Sequence, residues 1–183
     1  MKSPINKIQK SYLLILAGVL VLANVLSFAP QAFALTYLTK PEVLLTNMTA
    51  SGGSSLIIVF TTSASNTGTS LTLSLPSFTV AGSQTPSNNF GTTNCTTITG
   101  ATSDLPGTPT ASGSGTTITY GGITAYTASH SYCSVLTGSA VTNPVAGVYS
   151  GTLTAGTDQA ASLAVDVISS DQVVVTATVP ASF

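Results

Sequence analysis

Apolar and polar positions alternate most clearly near the C-terminus, across residues 143–179 (NPVAGVYSGTLTAGTDQAASLAVDVISSDQVVVTATV). Val173, Val175, Ala177 and Val179 fall on one side of a period-2 run, with Val174, Thr176 and Thr178 on the other, as in a half-buried β-strand. Leu163, Val165 and Val167 alternate in the same way with Ala164 and Asp166, while Ile168 weakens the polar face. Ser169, Ser170, Asp171 and Gln172 lie between the two runs, a short polar connection of the kind that closes a β-hairpin.

Upstream, the pattern predicts strands at 43–49 (VLLTNMT) and 55–62 (SLIIVFTT), the second with an apolar run that implies burial on both faces. Leu71, Leu73 and Leu75 alternate with Thr72 and Ser74 until Pro76 stops the run, and 78–81 reads as a short continuation. Residues 82–94 and 104–115 are rich in Gly, Ser, Pro and Asn and read as loops, with a weak strand at 96–99 between them. Residues 116–120 and 123–127 flank Gly121 and Gly122, a hairpin or bulge signal, and 132–136 is a further strand. No helical period is sustained after residue 35. Eight to ten short strands in this length predict an all-β fold, a two-sheet immunoglobulin-like sandwich.

Composition reinforces that reading. Charged residues make up only 5% of the 183-residue chain, and there is no Arg and no Trp. More than a third of the residues from Leu35 onward are Ser or Thr, and threonine suits a pleated surface whose outer face stays wet. Disordered chains are the reverse, poor in Val, Ile and Leu and rich in charge.

The N-terminus reads as an export signal. Lys2, Lys7 and Lys10 precede an almost unbroken apolar run at 12–28, and Ala32 and Ala34 frame an A-x-A cleavage site before Leu35. Residues 1–34 are therefore expected to be a signal peptide preceding the sandwich as a helix, with an uncleaved membrane anchor as the alternative, and 35–183 a single β-sandwich domain. Lys40 then faces Glu42, Asp104, Asp158, Asp166 and Asp171, so no cationic patch exists to displace counterions from phosphates, and nucleic acid is excluded as a partner. Membrane contact is expected only through the N-terminal segment, if it stays uncleaved.

Candidate chemistry is sparse. Cys95 and Cys133 are the only cysteines, and in an oxidising compartment they are expected to pair. His130 would be a third metal ligand beside them, one short of a structural zinc site. A Ser-His-Asp arrangement is arithmetically cheap in so Ser-rich a chain, and neither a G-x-S-x-G elbow nor paired carboxylates accompany it. Asp166 and Asp171 lack the D-x-D-x-D spacing of a calcium loop. Leu105-Pro106-Gly107-Thr108 imitates the start of a sortase signal, but Pro109 follows where that signal has Gly. Asn47-Met48-Thr49 and Asn94-Cys95-Thr96 match the N-glycosylation pattern. Tyr120, Tyr126, Tyr132 and Tyr149 offer either a sugar-stacking platform or core packing. No catalytic residue, metal or cofactor is assigned.

Four segments together carry a resemblance. SLIIVFTTSASNTGTSLTLSLPSFTV, HSYCSVLTG, TNPVAGVYSGTLT and DQVVVTATVPASF resemble an immunoglobulin-like domain common in secreted surface proteins of small-genome uncultured bacteria, over about residues 54–183. The resemblance implies a surface-exposed β-sandwich without a defined activity or binding residue. In that family the closing segment usually leads into another domain, whereas this sequence stops at Phe183, so the expectation is either a single module or a truncated reading frame. The expected role is structural or adhesive and non-enzymatic, at the cell exterior, with self-association or other envelope proteins as partners. The near absence of charge from Val43 to Ser103 supports it, because edge strands without Lys or Pro gatekeepers are suited to pairing with other chains. An extracellular carbohydrate-binding or accessory module is the alternative.

Overall fold

The computed structural model describes residues 36–170, and their regular structure is nearly all β. The expected signal segment with Ala32, Ala34 and Leu35, and the expected closing strand at 173–179, lie outside the described residues. In chain order the elements begin with β1 (Thr39–Leu45), β2 (Gly53–Thr61), β3 (Leu71–Ser74), β4 (Thr79–Val80), β5 (Ser83–Ser87), β6 (Asn89–Phe90) and β7 (Thr93–Asn94). A single helical turn, α1 (Cys95–Thr99), is followed by β8 (Ser103–Asp104), β9 (Gly107–Ser114), β10 (Thr117–Ile123), β11 (Ser131–Thr142), β12 (Gly147–Ala155) and β13 (Ala161–Val167).

Hydrogen bonding runs unbroken through β1-β2-β11-β5-β9-β10-β3-β12-β13, with β4 and β8 attached to β11, while β6 and β7 form a small sheet of their own. All these pairings are antiparallel except that of β8 with β11. The all-β expectation therefore holds, but the ladder does not divide into two sheets. Strand β5 pairs with β11 on one side and with β9 on the other, carrying the ladder around the corner between two walls. The two ends of the path then meet through isolated parallel bridges, Tyr37 with Gln159 and Thr49 with Ile168, so the large sheet is nearly closed into a barrel.

Its interior is filled by the alternate side chains that the period-2 pattern marks. Leu56, Ile58 and Phe60 of β2, Leu71 and Leu73 of β3, Ile118 of β10, Leu136 and Val141 of β11, and Leu153 of β12 are all fully buried in one cluster. In β13 the alternation is complete, with Ala161, Leu163, Val165 and Val167 inward and Ser162, Ala164 and Asp166 outward. The continuous apolar run of β2 has a separate cause. Ile57 and Val59 point to the outer face, where they pack with Val135, Ala101, Cys95 and Cys133 in a second small cluster beneath α1.

Several boundaries differ from the sequence reading. The weak strand at 96–99 is instead α1: Asn94 Oδ1 accepts from the Thr96 N–H at 2.9 Å as the N-cap, and Gly100 ends the turn with φ of 70°. Residues 104–115 were expected as a loop, yet they hold β9, a strand with no fully buried side chain and hence no hydrophobic period to betray it. Likewise β5 lies within the expected loop at 82–94; its one buried side chain is Gln84, whose Nε2 donates to the carbonyls of Ala81 and Ala140 at 2.6 and 2.9 Å. Gly121 and Gly122 form a bulge at the end of β10, and the β9–β10 hairpin turns at Gly115 instead. The strand expected at 123–127 thus stops at Ile123, while the one at 132–136 extends to Thr142 by absorbing a register shift after Leu136.

Candidate interaction surface

The residues singled out for chemistry prove to be largely structural. Cys95 and Cys133 are brought to disulfide-bonding distance, with Cα atoms 6.1 Å apart and both side chains fully buried. The pair fastens α1 over the outer face of β2 and β11. The Asp104 carboxylate lies 3.9 Å from Cys133 Sγ. Asn94, in one of the two glycosylation matches, spends its side-chain oxygen on capping α1, and Leu105 of the sortase-like tetrapeptide is a buried core residue.

Ser103 and His130 do meet, with Oγ and Nε2 2.8 Å apart. The contact follows from strand pairing, since β8 runs parallel beside β11 and sets Ser103 opposite Tyr132. The His130 backbone N–H donates to Thr62 Oγ1 at 3.1 Å, and the imidazole packs 5.0 Å from the Tyr132 ring. Among the described residues its hydrogen-bond partners are Ser103 and Thr62, and no carboxylate is among them. Among the described residues no three His, Cys, Asp or Glu side chains gather as metal ligands.

The tyrosines resolve in favour of packing. Tyr120, Tyr126 and Tyr132 are buried, and Tyr126 and Tyr132 gather around Phe60 at ring separations of 5.8 and 5.9 Å. Burial pushes the Tyr120 and Tyr126 phenols well above their ordinary value, opposed at Tyr120 by its hydrogen bond with Ser134 and reinforced at Tyr126 by Tyr132 and Tyr120. Tyr149 is half-buried against Phe78, and its hydroxyl donates to the Val145 carbonyl at 2.6 Å. A sugar-stacking platform built from these four rings is therefore not presented to solvent.

Among the described residues, the sheet nearly closes into a barrel along one seam. Strands β1 and β13 end the large sheet among the described residues, and no ladder there joins them between the Tyr37–Gln159 and Thr49–Ile168 bridges. At the second bridge the Ile168 N–H donates to the Met48 carbonyl and the Ala50 N–H donates to the Ile168 carbonyl, both at 2.9 Å. Below it lies a cleft of about 130 Å³ lined by Val43, Leu44, Leu45, Met48, Ala164, Val165 and Asp166. Leu44 is 40% exposed there, and Val148, paired opposite Asp166 on β12, is 74% exposed and extends the apolar surface.

The edge of β1 is unevenly protected. Its first half carries Lys40, Pro41 and Glu42, with Lys40 at a φ of 50° and a register shift between Thr39 and Glu42, which are devices that blunt an edge. From Val43 onward that protection ends. The sequence reading identified this uncharged stretch but not its partner across the seam. One signal of it was available: the consecutive apolar residues Val43, Leu44 and Leu45 break the alternation, so one of them must face outward.

Comparison with protein-family models, with curated proteins and with solved structures finds no match.

Proposed function

We propose that the chain is a structural or adhesive module of the cell exterior, exported by its N-terminal segment and acting through association with itself or with other envelope proteins, without catalysis. The observation that carries this reading is that, among the described residues, β1 and β13 meet only through two isolated bridges, with an apolar cleft between them and no charged or proline residue on β1 beyond Glu42. The immunoglobulin-like reading belongs with it. A wall of β1, β2 and β11 faces a wall of β10, β3, β12 and β13 across one core, with β5 crossing between them, an arrangement compatible with a sandwich whose corner strand is shared. An extracellular carbohydrate-binding role keeps the hydroxyl-rich surface as its motivation and loses the tyrosine platform, since Tyr120, Tyr126 and Tyr132 are buried and Tyr149 is half-buried.

Sedimentation velocity and electron microscopy of the exported protein over a concentration series are expected to show oligomers that grow with concentration. A strictly monomeric protein that also fails to bind the envelope of its own cell would overturn the reading. N-terminal sequencing of the exported form is expected to begin at Leu35.

A further inference from the structure

We infer that Ser103 is a nucleophilic hydroxyl with His130 as its general base, a site that accepts one acyl group per chain and that does not depend on the self-association just proposed. His130 is the only histidine of the sequence, and its Nε2 lies 2.8 Å from Ser103 Oγ, within the reach of a base for the proton it abstracts. With the ring proton on Nδ1, Nε2 accepts the hydroxyl hydrogen, the direction in which the pair can react. Both residues are half-buried, while Thr102 on one side and Thr127, Ala128 and Ser129 on the other are exposed, so a small molecule can approach from solvent.

The imidazole is positioned by more than this one contact. The Thr62 N–H donates to the His130 carbonyl at 3.0 Å, and the Thr62 hydroxyl accepts the His130 N–H at 3.1 Å while donating to the Thr127 carbonyl at 2.7 Å. The ring lies 5.0 Å from that of Tyr132, which is itself buried, its hydroxyl accepting the Thr127 N–H at 2.8 Å. On the serine side, the Thr102 N–H donates to the Ser131 carbonyl at 3.1 Å, and the parallel pairing of β8 with β11 sets Ser103 beside Tyr132. Nucleophile and base are thus oriented before any reactant arrives. Two nearby carboxylates are engaged elsewhere: Asp104 lies against Cys133 Sγ, and Asp158 accepts from Ser63. With no carboxylate among the hydrogen-bond partners of His130 to support an imidazolium, the site suits an acyl donor with a good leaving group, an activated ester or thioester. Ser103 Oγ forms the new bond to the acyl carbon as its proton passes to Nε2. The bond from that carbon to the leaving oxygen or sulfur then breaks, and the leaving atom takes the proton from the imidazolium.

The test is labelling of the full chain with a fluorophosphonate, in which Ser103 Oγ displaces fluoride from phosphorus and its proton leaves through His130, with the site read by peptide mass spectrometry. One label per chain, on Ser103, is expected, although the sequence offers the probe many other serines. His130→Gln keeps a polar group beside Ser103 and removes the base; it is expected to slow labelling at least a hundredfold with an unchanged circular dichroism spectrum. His130→Ala is expected to regain labelling when free imidazole is added, a response that a merely structural histidine would not give. No label on the unaltered chain, or label spread over several serines, overturns the inference whether or not the variants fold. Labelling of Ser103 as fast in His130→Gln as in the unaltered chain overturns it too. The association state of the chain is read separately, so neither result decides the proposed function.

Discussion

Asp158 is a buried carboxylate whose two oxygens both serve one residue. It accepts the Ser63 N–H at 2.8 Å and the Ser63 hydroxyl, and so ties the end of β2 to the turn between β12 and β13. Beside it Asn66 Nδ2 donates to the Ala155 carbonyl at 2.8 Å, and Gly68 approaches Gly156 so closely that a Cβ at position 68 would collide with the neighbouring backbone. Replacing Asp158 by Ala leaves the Ser63 N–H without its acceptor, at a cost of about 1–3 kcal/mol. Urea unfolding is expected to show that loss for Asp158→Ala and a smaller one for Asp158→Asn, which keeps an accepting oxygen. The buried tyrosines set a second expectation. Because burial raises the phenol pKa of Tyr120 and Tyr126 in the folded state, their contribution is complete below the ordinary phenol value of about 10 and is lost as pH climbs beyond it. Alkaline titration should therefore release these two phenolates only together with unfolding, and Tyr120→Phe should hold its structure to higher pH than the unaltered chain. None of these contacts is legible in the sequence, where Asp158 is one acid among several and the inward side of a tyrosine depends on register.

At the scale of elements, α1 shows most directly what local chemistry decides. Three of its five residues are threonines, poor helix formers. The turn nevertheless forms, because Asn94 caps its start, Gly100 takes the left-handed geometry at its end, and the Cys95–Cys133 pair holds it against Ile57 and Val59. The pairing spans 38 residues, and loop closure of that length contributes roughly 3 to 4 kcal/mol. Reduction, or Cys95→Ser together with Cys133→Ser, is expected to lower the denaturation midpoint accordingly. Exposed outer-face apolar residues of β2 should then appear as increased binding of a hydrophobic dye. The cysteine pair was legible from composition, and β2, β3 and β13 from apolar residues that recur every second position or run together. Strands β5 and β9 were not, because they are held by backbone ladders on both sides and place almost nothing in the core. A strand that buries no apolar side chain leaves only turn residues to read, and those read as loop.

For the whole molecule, the sequence was sufficient for the class and not for the closure. An all-β chain with one hydrophobic core follows from alternation and from the hydroxyl-rich surface. Whether the walls form two sheets or one depends on β5, four polar residues and a proline that pair on both edges. The seam depends on where β1 and β13 end up in space, which no local pattern encodes. Its residues lie about 120 positions apart, and only the out-of-phase Leu44 marks one side of it. Self-association of this molecule is accordingly an expectation about an edge, and the strength of that association should follow the apolar character of Leu44 more closely than salt, since few charges are present to be screened.

The seam also has a consequence in time. Strand β1 is the first of the described strands and β13 the last, and between them β2 waits for β11 and β3 for β12, pairings of long sequence separation. Barrels dominated by such non-local contacts fold in roughly milliseconds to seconds. The two edges can approach each other only after the intervening ladder is built, so throughout that interval both stand open to a strand from any neighbouring chain. Crowding while the chains fold would then add to the concentration of finished barrels in favouring the association proposed above.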